Sequence, residues 1–102
     1  MAKAYWVTTY RSISNHDALA AYAKLAAPAM QAAGGRFLIR GTPIEIYEAG
    51  MKQRTVVIEF DSLAKALAAH GTPAYQAALR VLGKDACVRD MRVLEGMDSG
   101  MA

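Results

Sequence analysis

A carboxylate set inside an apolar strand is the first feature that suggests chemistry: Glu59 interrupts the run Val56-Val57-Ile58-Glu59-Phe60. Such a group must be neutralised, paired or solvated by a cavity. Arg40 lies on the segment expected to run alongside. The two are expected either to form a buried bidentate ion pair or to line a pocket that orients a polar substrate. In the catalytic reading Glu59 is a general base and Arg40 stabilises an anion; in the structural reading the pair only fixes register. Tyr5, Trp6 and Tyr10 bring aromatics to both faces of the first strand, and Tyr75 adds a hydroxyl from a later helix. Together they are expected to wall a cavity between sheet and helices, although aromatics at such spacing also fill cores.

Other chemistries lack their residues. The two histidines, His16 and His70, and the lone Cys87 are widely separated, with no C-x-x-C or H-x-x-x-H pair, so no metal site is expected. His16 reads as a residue at a helix start and His70 as part of an apolar stripe. No G-x-G-x-x-G or G-x-x-x-x-G-K-[ST] loop cradles phosphates, and Gly34-Gly35 reads as a helix stop, so no nucleotide or other cofactor is implied. No serine stands in a G-x-S-x-G turn, and no nucleophile motif surrounds Cys87.

The elements that must position these residues alternate in period. Ala4 to Arg11 is aromatic and β-branched, which predicts a first strand. Ser14 to Asp17 offers caps for a helix whose stripe runs from Ala18 through Leu19, Tyr22, Leu25, Ala26, Ala29 and Met30 to Ala33, with a kink expected between Lys24 and Pro28. Arg36 to Gly41 and Ile44 to Glu48, bent at Thr42-Pro43, are expected to form strand two. After a turn at Ala49-Gly50, Arg54 to Phe60 is expected as strand three, completing a hairpin. Asp61-Ser62 caps a helix ending at Gly71, Thr72-Pro73 starts another ending at Gly83, and Val88 to Glu95 is the fourth strand. The order βαββαβ predicts an α+β, ferredoxin-like fold, an antiparallel sheet in the order 4-1-3-2 with helices on one face. Residues 1–96 are expected to form a single domain and 97–102 a flexible tail.

Valines and isoleucine on both faces of strand three leave an apolar sheet face that no helix covers, so a homodimer paired face to face is expected. The chain has 102 residues, 54% hydrophobic and 21% charged, with a formal charge of +3 and scattered basic residues. That composition predicts one globular core and implies no nucleic acid. No apolar run reaches the roughly 18 residues of a membrane span, no signal-peptide core follows Met1, and one cysteine suits a reducing compartment; a cytoplasmic location with no membrane partner is expected.

The segments Ala4-Tyr5-Trp6, Gly34 to Gly41 (GGRFLIRG), Val56 to Phe60 (VVIEF) and Thr72 to Gln76 (TPAYQ), in this order and spacing, resemble domain of unknown function 1330 over about residues 3 to 96. The resemblance implies the dimeric α/β barrel superfamily, whose members include cofactor-independent monooxygenases and muconolactone-isomerase-like enzymes and usually hold a pocket between sheet and helices. It also implies Tyr5, Trp6, Arg40, Glu59, Tyr75 and Arg80 as site residues, with Tyr5, Trp6, Tyr75 and Arg80 binding ligand. The chain departs from the family pattern at Arg40-Gly41-Thr42-Pro43, where Arg-Gly-Gly is common.

Two functions from different classes follow. One is a homodimer that binds a small molecule, extending to a cofactor-independent enzyme for proton transfer or oxygenation of a small hydrophobic or aromatic compound. The other is a non-catalytic structural or interaction dimer; a solvent-connected cavity lined by Arg40, Glu59 or Tyr75 separates the two. An RNA-binding reading shares the element order, but strand three lacks the aromatic RNP1 pattern.

Overall fold

The structure, a computed structural model, describes residues 2–97. In chain order the elements are β1 (Ala4–Ile13), α1 (His16–Ala32), β2 (Arg36–Gly41), β3 (Thr55–Phe60), α2 (Leu63–His70), α3 (Pro73–Leu82) and β4 (Cys87–Glu95). The strands form one antiparallel sheet in the order β2-β3-β1-β4, the expected order read from the other edge. The part of the expected tail from 98 onward lies outside the described residues.

Side chains alternate across the sheet, which decides what each residue can touch. On β1, Ala4, Trp6, Thr8 and Tyr10 are buried beneath the helices, while Tyr5, Val7 and Thr9 point to the uncovered face. On β3, Val56, Ile58 and Phe60 are buried, and Val57 and Glu59 point away. α1 and α3 pack on each other, and Met30, Ala26, Tyr75 and Ala78 complete one continuous core with the buried strand residues.

Local chemistry sets the helix limits. Asn15 caps α1 by accepting from the Ala18 amide at 3.0 Å, and Ser62 and Thr72 cap α2 and α3 in the same way. Gly34 ends α1 with φ +93°, and Gly35 passes so close to the sheet that a Cβ there would lie 2.9 Å from Ile58 Cγ2.

α1 runs as one helical segment with Pro28 inside it, and Pro28 and Lys24 both lie on its exposed side. One expectation needs correction. Strand two stops at Gly41, and Ile44 to Glu48 are not part of it. Gly41 already pairs with Thr55, so the segment 42–54 has no strand to pair with, and Ala49 to Gln53 is poor in β formers. The segment is instead a long loop with a turn closed by Gly50 N–H donating to Tyr47 O at 2.9 Å. It holds Ile44 at 93% exposure and Tyr47 at 79%.

Candidate functional site

A cleft opens between the helix-covered face of the sheet and α1. It is lined by Trp6, Tyr10, Tyr22, Arg40, Arg54, Tyr75 and Arg89 among others, with Leu19, Ala26, Met30, Phe37 and Ile58 supplying apolar wall. Its volume is about 40 Å3. At 10–15 Å3 per water this is room for roughly three water-sized groups. The cleft therefore admits a head group, not a whole drug-sized molecule.

Register explains how distant residues meet. Tyr10 pairs with Arg89 on β4, and its amide donates to Arg54 O at 3.0 Å, so Arg54, Tyr10 and Arg89 form one row across the sheet. One pleat along, Arg40 pairs with Val56 and Val56 with Thr8, forming the next row. Above them α1 contributes Tyr22 and α3 contributes Tyr75.

The polar groups form a chain. Arg89 Nη1 donates to the hydroxyls of Tyr10 and Tyr22, 3.2 Å to each, and its guanidinium lies over the Tyr22 ring at 4.8 Å. The Tyr22 and Tyr75 hydroxyls are 2.7 Å apart. Trp6 meets Tyr75 edge-on at 5.2 Å between centroids and donates its indole N–H to Ala66 O at 2.8 Å, which locks the cleft wall to α2.

Electrostatics keep these groups in their donor forms. Burial pushes the Tyr75 and Tyr10 phenols above their usual value of 10.0, further in Tyr75 because Tyr22 lies beside it. Burial opposes the charge on Arg89, but the oxygens of Tyr22, Tyr75 and Tyr10 outweigh it and hold the guanidinium protonated.

Of the residues expected from the sequence, Trp6, Arg40 and Tyr75 line this cleft, with Arg40 at its exposed rim stacked on Phe37 at 5.4 Å. Glu59 and Tyr5 lie on the opposite face of the sheet, and Arg80 borders an open hollow between α3 and β4. The expected Glu59–Arg40 pair does not form. Glu59 is in register with Arg36, whereas Arg40 is opposite Val56 on the other face, beyond a bulge between Phe37 and Ile39. Arg36 Nε donates to Glu59 Oε1 at 3.0 Å and Arg36 Nη2 to Asp61 at 2.9 Å, and Tyr5 donates to Glu59 Oε2 at 3.1 Å. The Arg36 hydrogen bond holds the Glu59 carboxyl below its ordinary value against the opposing effect of burial.

Sequence reasoning passed over Arg89 and Arg54 as site residues. The signal for Arg89 was its place on the same strand face as Met91 and Val93. Among the described residues no group of three His, Cys, Asp or Glu side chains is placed to hold a metal ion, and no helix is long and apolar enough to cross a membrane.

One antiparallel sheet with its helices on a single face and a cleft between the layers defines a ferredoxin-like α+β protein. The chain belongs to the family described as domain of unknown function (DUF1330), whose model matches residues 3–97. A protein of unknown function from Rhodopseudomonas palustris superposes with a TM-score of 0.70 at 16% identity, covering 95% of this chain and 84% of that one. A dimeric ferredoxin-like protein of unknown function from Thermobifida fusca gives 0.63 at 18% identity, covering 92% and 91%. A Caulobacter crescentus protein described as a putative antibiotic biosynthesis monooxygenase gives 0.62 at 15%, covering 95% and 92%. At these identities the likeness establishes the fold. No protein of curated function matches the chain.

Proposed function

We propose that the chain is a homodimer that binds a small molecule by its head group in the cleft between the sheet and α1. The observation that carries this is the convergence of Arg89, Tyr10, Tyr22 and Tyr75 from four elements on one cleft of about 40 Å3. Leucines there would pack at least as stably, which supports a role for three phenols and a guanidinium beyond filling volume. Trp6 and Tyr75 wall the site, and Arg40 holds the ligand at its rim.

Any chemistry done there is polarisation, not proton abstraction, because the raised phenols and the guanidinium donate hydrogen bonds and supply no base at neutral pH. That fits a protein that stabilises an oxyanion on its ligand.

Dimerisation is supported by the uncovered sheet face, where Tyr5, Val7 and Val57 stand beside the exposed Ile39 and Leu94, and by the description of the Thermobifida fusca relative as dimeric. Glu59, bonded to Arg36 and Tyr5 on that face, belongs to this interface. Two measurements on the purified protein test the proposal: sedimentation for the dimer, and NMR titration with a small-molecule fragment set read at the cleft. Shifts confined to Trp6, Arg89 and the methyls of Leu19 and Met30 are expected. A dimer in which no fragment moves those signals overturns the binding reading and leaves a structural dimer.

A further inference from the structure

We infer that the head group taken by this cleft is a carboxylate, carried on a small apolar body. The inference rests on the binding reading above and specifies its ligand class.

Counting hydrogens leads to it. Arg89 Nη1 gives one N–H to each of Tyr10 and Tyr22. Tyr10 then has its own hydroxyl hydrogen left over. Tyr22 and Tyr75 share one hydrogen between them, whichever donates, so one more phenolic hydrogen is left over. Arg54 Nε is buried with no hydrogen-bond partner among the described residues. Each of these groups therefore has a hydrogen free to donate to a ligand.

Charge points the same way. Arg40, Arg54 and Arg89 line the cleft, and no aspartate or glutamate does. Among the described residues none of the three has a carboxylate within 4.0 Å, although Arg11, Arg36 and Arg92 all do. A half-buried guanidinium whose near neighbours are neutral phenols is incompletely compensated, and a guanidinium fork matches two coplanar oxygens. The volume for roughly three water-sized groups suits the three heavy atoms of a carboxylate. Leu19, Met30 and Phe37 line the same cleft and suit the apolar carbon to which the carboxylate is attached.

Benzoate and benzamide, matched in shape, test this on the purified full chain. Benzamide replaces one acceptor oxygen by two donor hydrogens and carries no charge, so a cleft lined by three guanidiniums and no carboxylate favours benzoate over it. Calorimetry, together with NMR of the single Trp6 indole N–H, is expected to show benzoate binding at the cleft and benzamide at least about tenfold weaker. Arg54→Gln is expected to weaken benzoate by about tenfold and leave benzamide unchanged, with the circular dichroism spectrum intact. Arg54→Lys, which keeps the charge without the fork, is expected to recover part of the loss. Benzamide binding as tightly as benzoate, or benzoate indifferent to Arg54→Gln, overturns the carboxylate inference while the cleft remains a binding site. Failure of both probes to bind overturns the carboxylate inference, and the binding reading falls with it when the fragment set also leaves the cleft signals unmoved.

Discussion

The hydroxyls of Tyr22 and Tyr75, carried by two different helices, lie 2.7 Å apart beneath α1, and Arg89 from the edge strand reaches the first of them. Tyr75 is fully buried, so Tyr75→Phe removes a buried hydrogen bond and hardly alters packing. The expected cost is about 1 kcal/mol in urea unfolding. The double variant with Tyr22→Phe should cost less than the sum of the two single ones, because the interaction is counted twice in that sum. Strict additivity would show that the two hydroxyls are not coupled.

Trp6→Phe is expected to cost roughly 2–4 kcal/mol. It opens a void in the core and leaves the Ala66 carbonyl without the indole donor. Urea denaturation measures the loss, and a change under about 1 kcal/mol would mean that water replaces the indole at Ala66.

Spectrophotometric titration of the five tyrosines reports the cleft directly. Tyr10 and Tyr75 are raised above 10.0 by burial, and Tyr5 is raised by its hydrogen bond to Glu59. A folded pKa above the unfolded one means stability that is complete below pH 10 and lost as the pH rises through the folded values. The phenolate absorbance of these three is therefore expected to develop late and to coincide with alkaline unfolding. Ionisation of Tyr10 and Tyr75 at the ordinary value of 10.0 with the fold intact would contradict the buried network.

On the other face the sign reverses. Arg36 depresses Glu59 and Asp61, so their contribution is present above the ordinary values of 4.5 and 3.8 and lost as the pH falls through the lower folded ones. Arg36→Gln should flatten the acid limb of a thermal-melting profile below pH 4.5. An unchanged limb would place the acid sensitivity elsewhere.

Ile39→Glu with Leu94→Glu places charges at two positions on the uncovered face, each about half exposed in the protomer. The pair is expected to raise the dimer dissociation constant by about 100-fold or more without loss of β-sheet signal. Sedimentation velocity decides it, and an unaltered dimer would move the interface off this face.

The fold was legible because its signals are local and redundant. The caps at Asn15, Ser62 and Thr72, the stops at Gly34 and Gly71, and the aromatic and β-branched run of β1 each point to the same element order. The site was legible only in part. Trp6, Tyr10 and Tyr75 announce a wall, but which arginine faces it depends on register, and the bulge between Phe37 and Ile39 resets that register within one residue. Glu59 looked isolated in sequence because its partner Arg36 stands 23 positions away and the face it occupies alternates with the core. Ile44 to Glu48 misled for the opposite reason: a strand-like composition without a neighbouring strand to pair with remains a loop.

That loop, 42–54, begins two residues after Arg40 and ends on Arg54, so both of its roots carry cleft guanidiniums. Its Ile44 and Tyr47 are exposed, and if the proposed homodimer held them, the freedom of both arginines would narrow at once. Association and ligand capture would then share one source of order. By thermodynamic reciprocity, the factor by which pairing tightened the ligand would be the factor by which the ligand tightened the pair. Sedimentation with and without ligand measures it, and equal dissociation constants would show that the loop couples nothing.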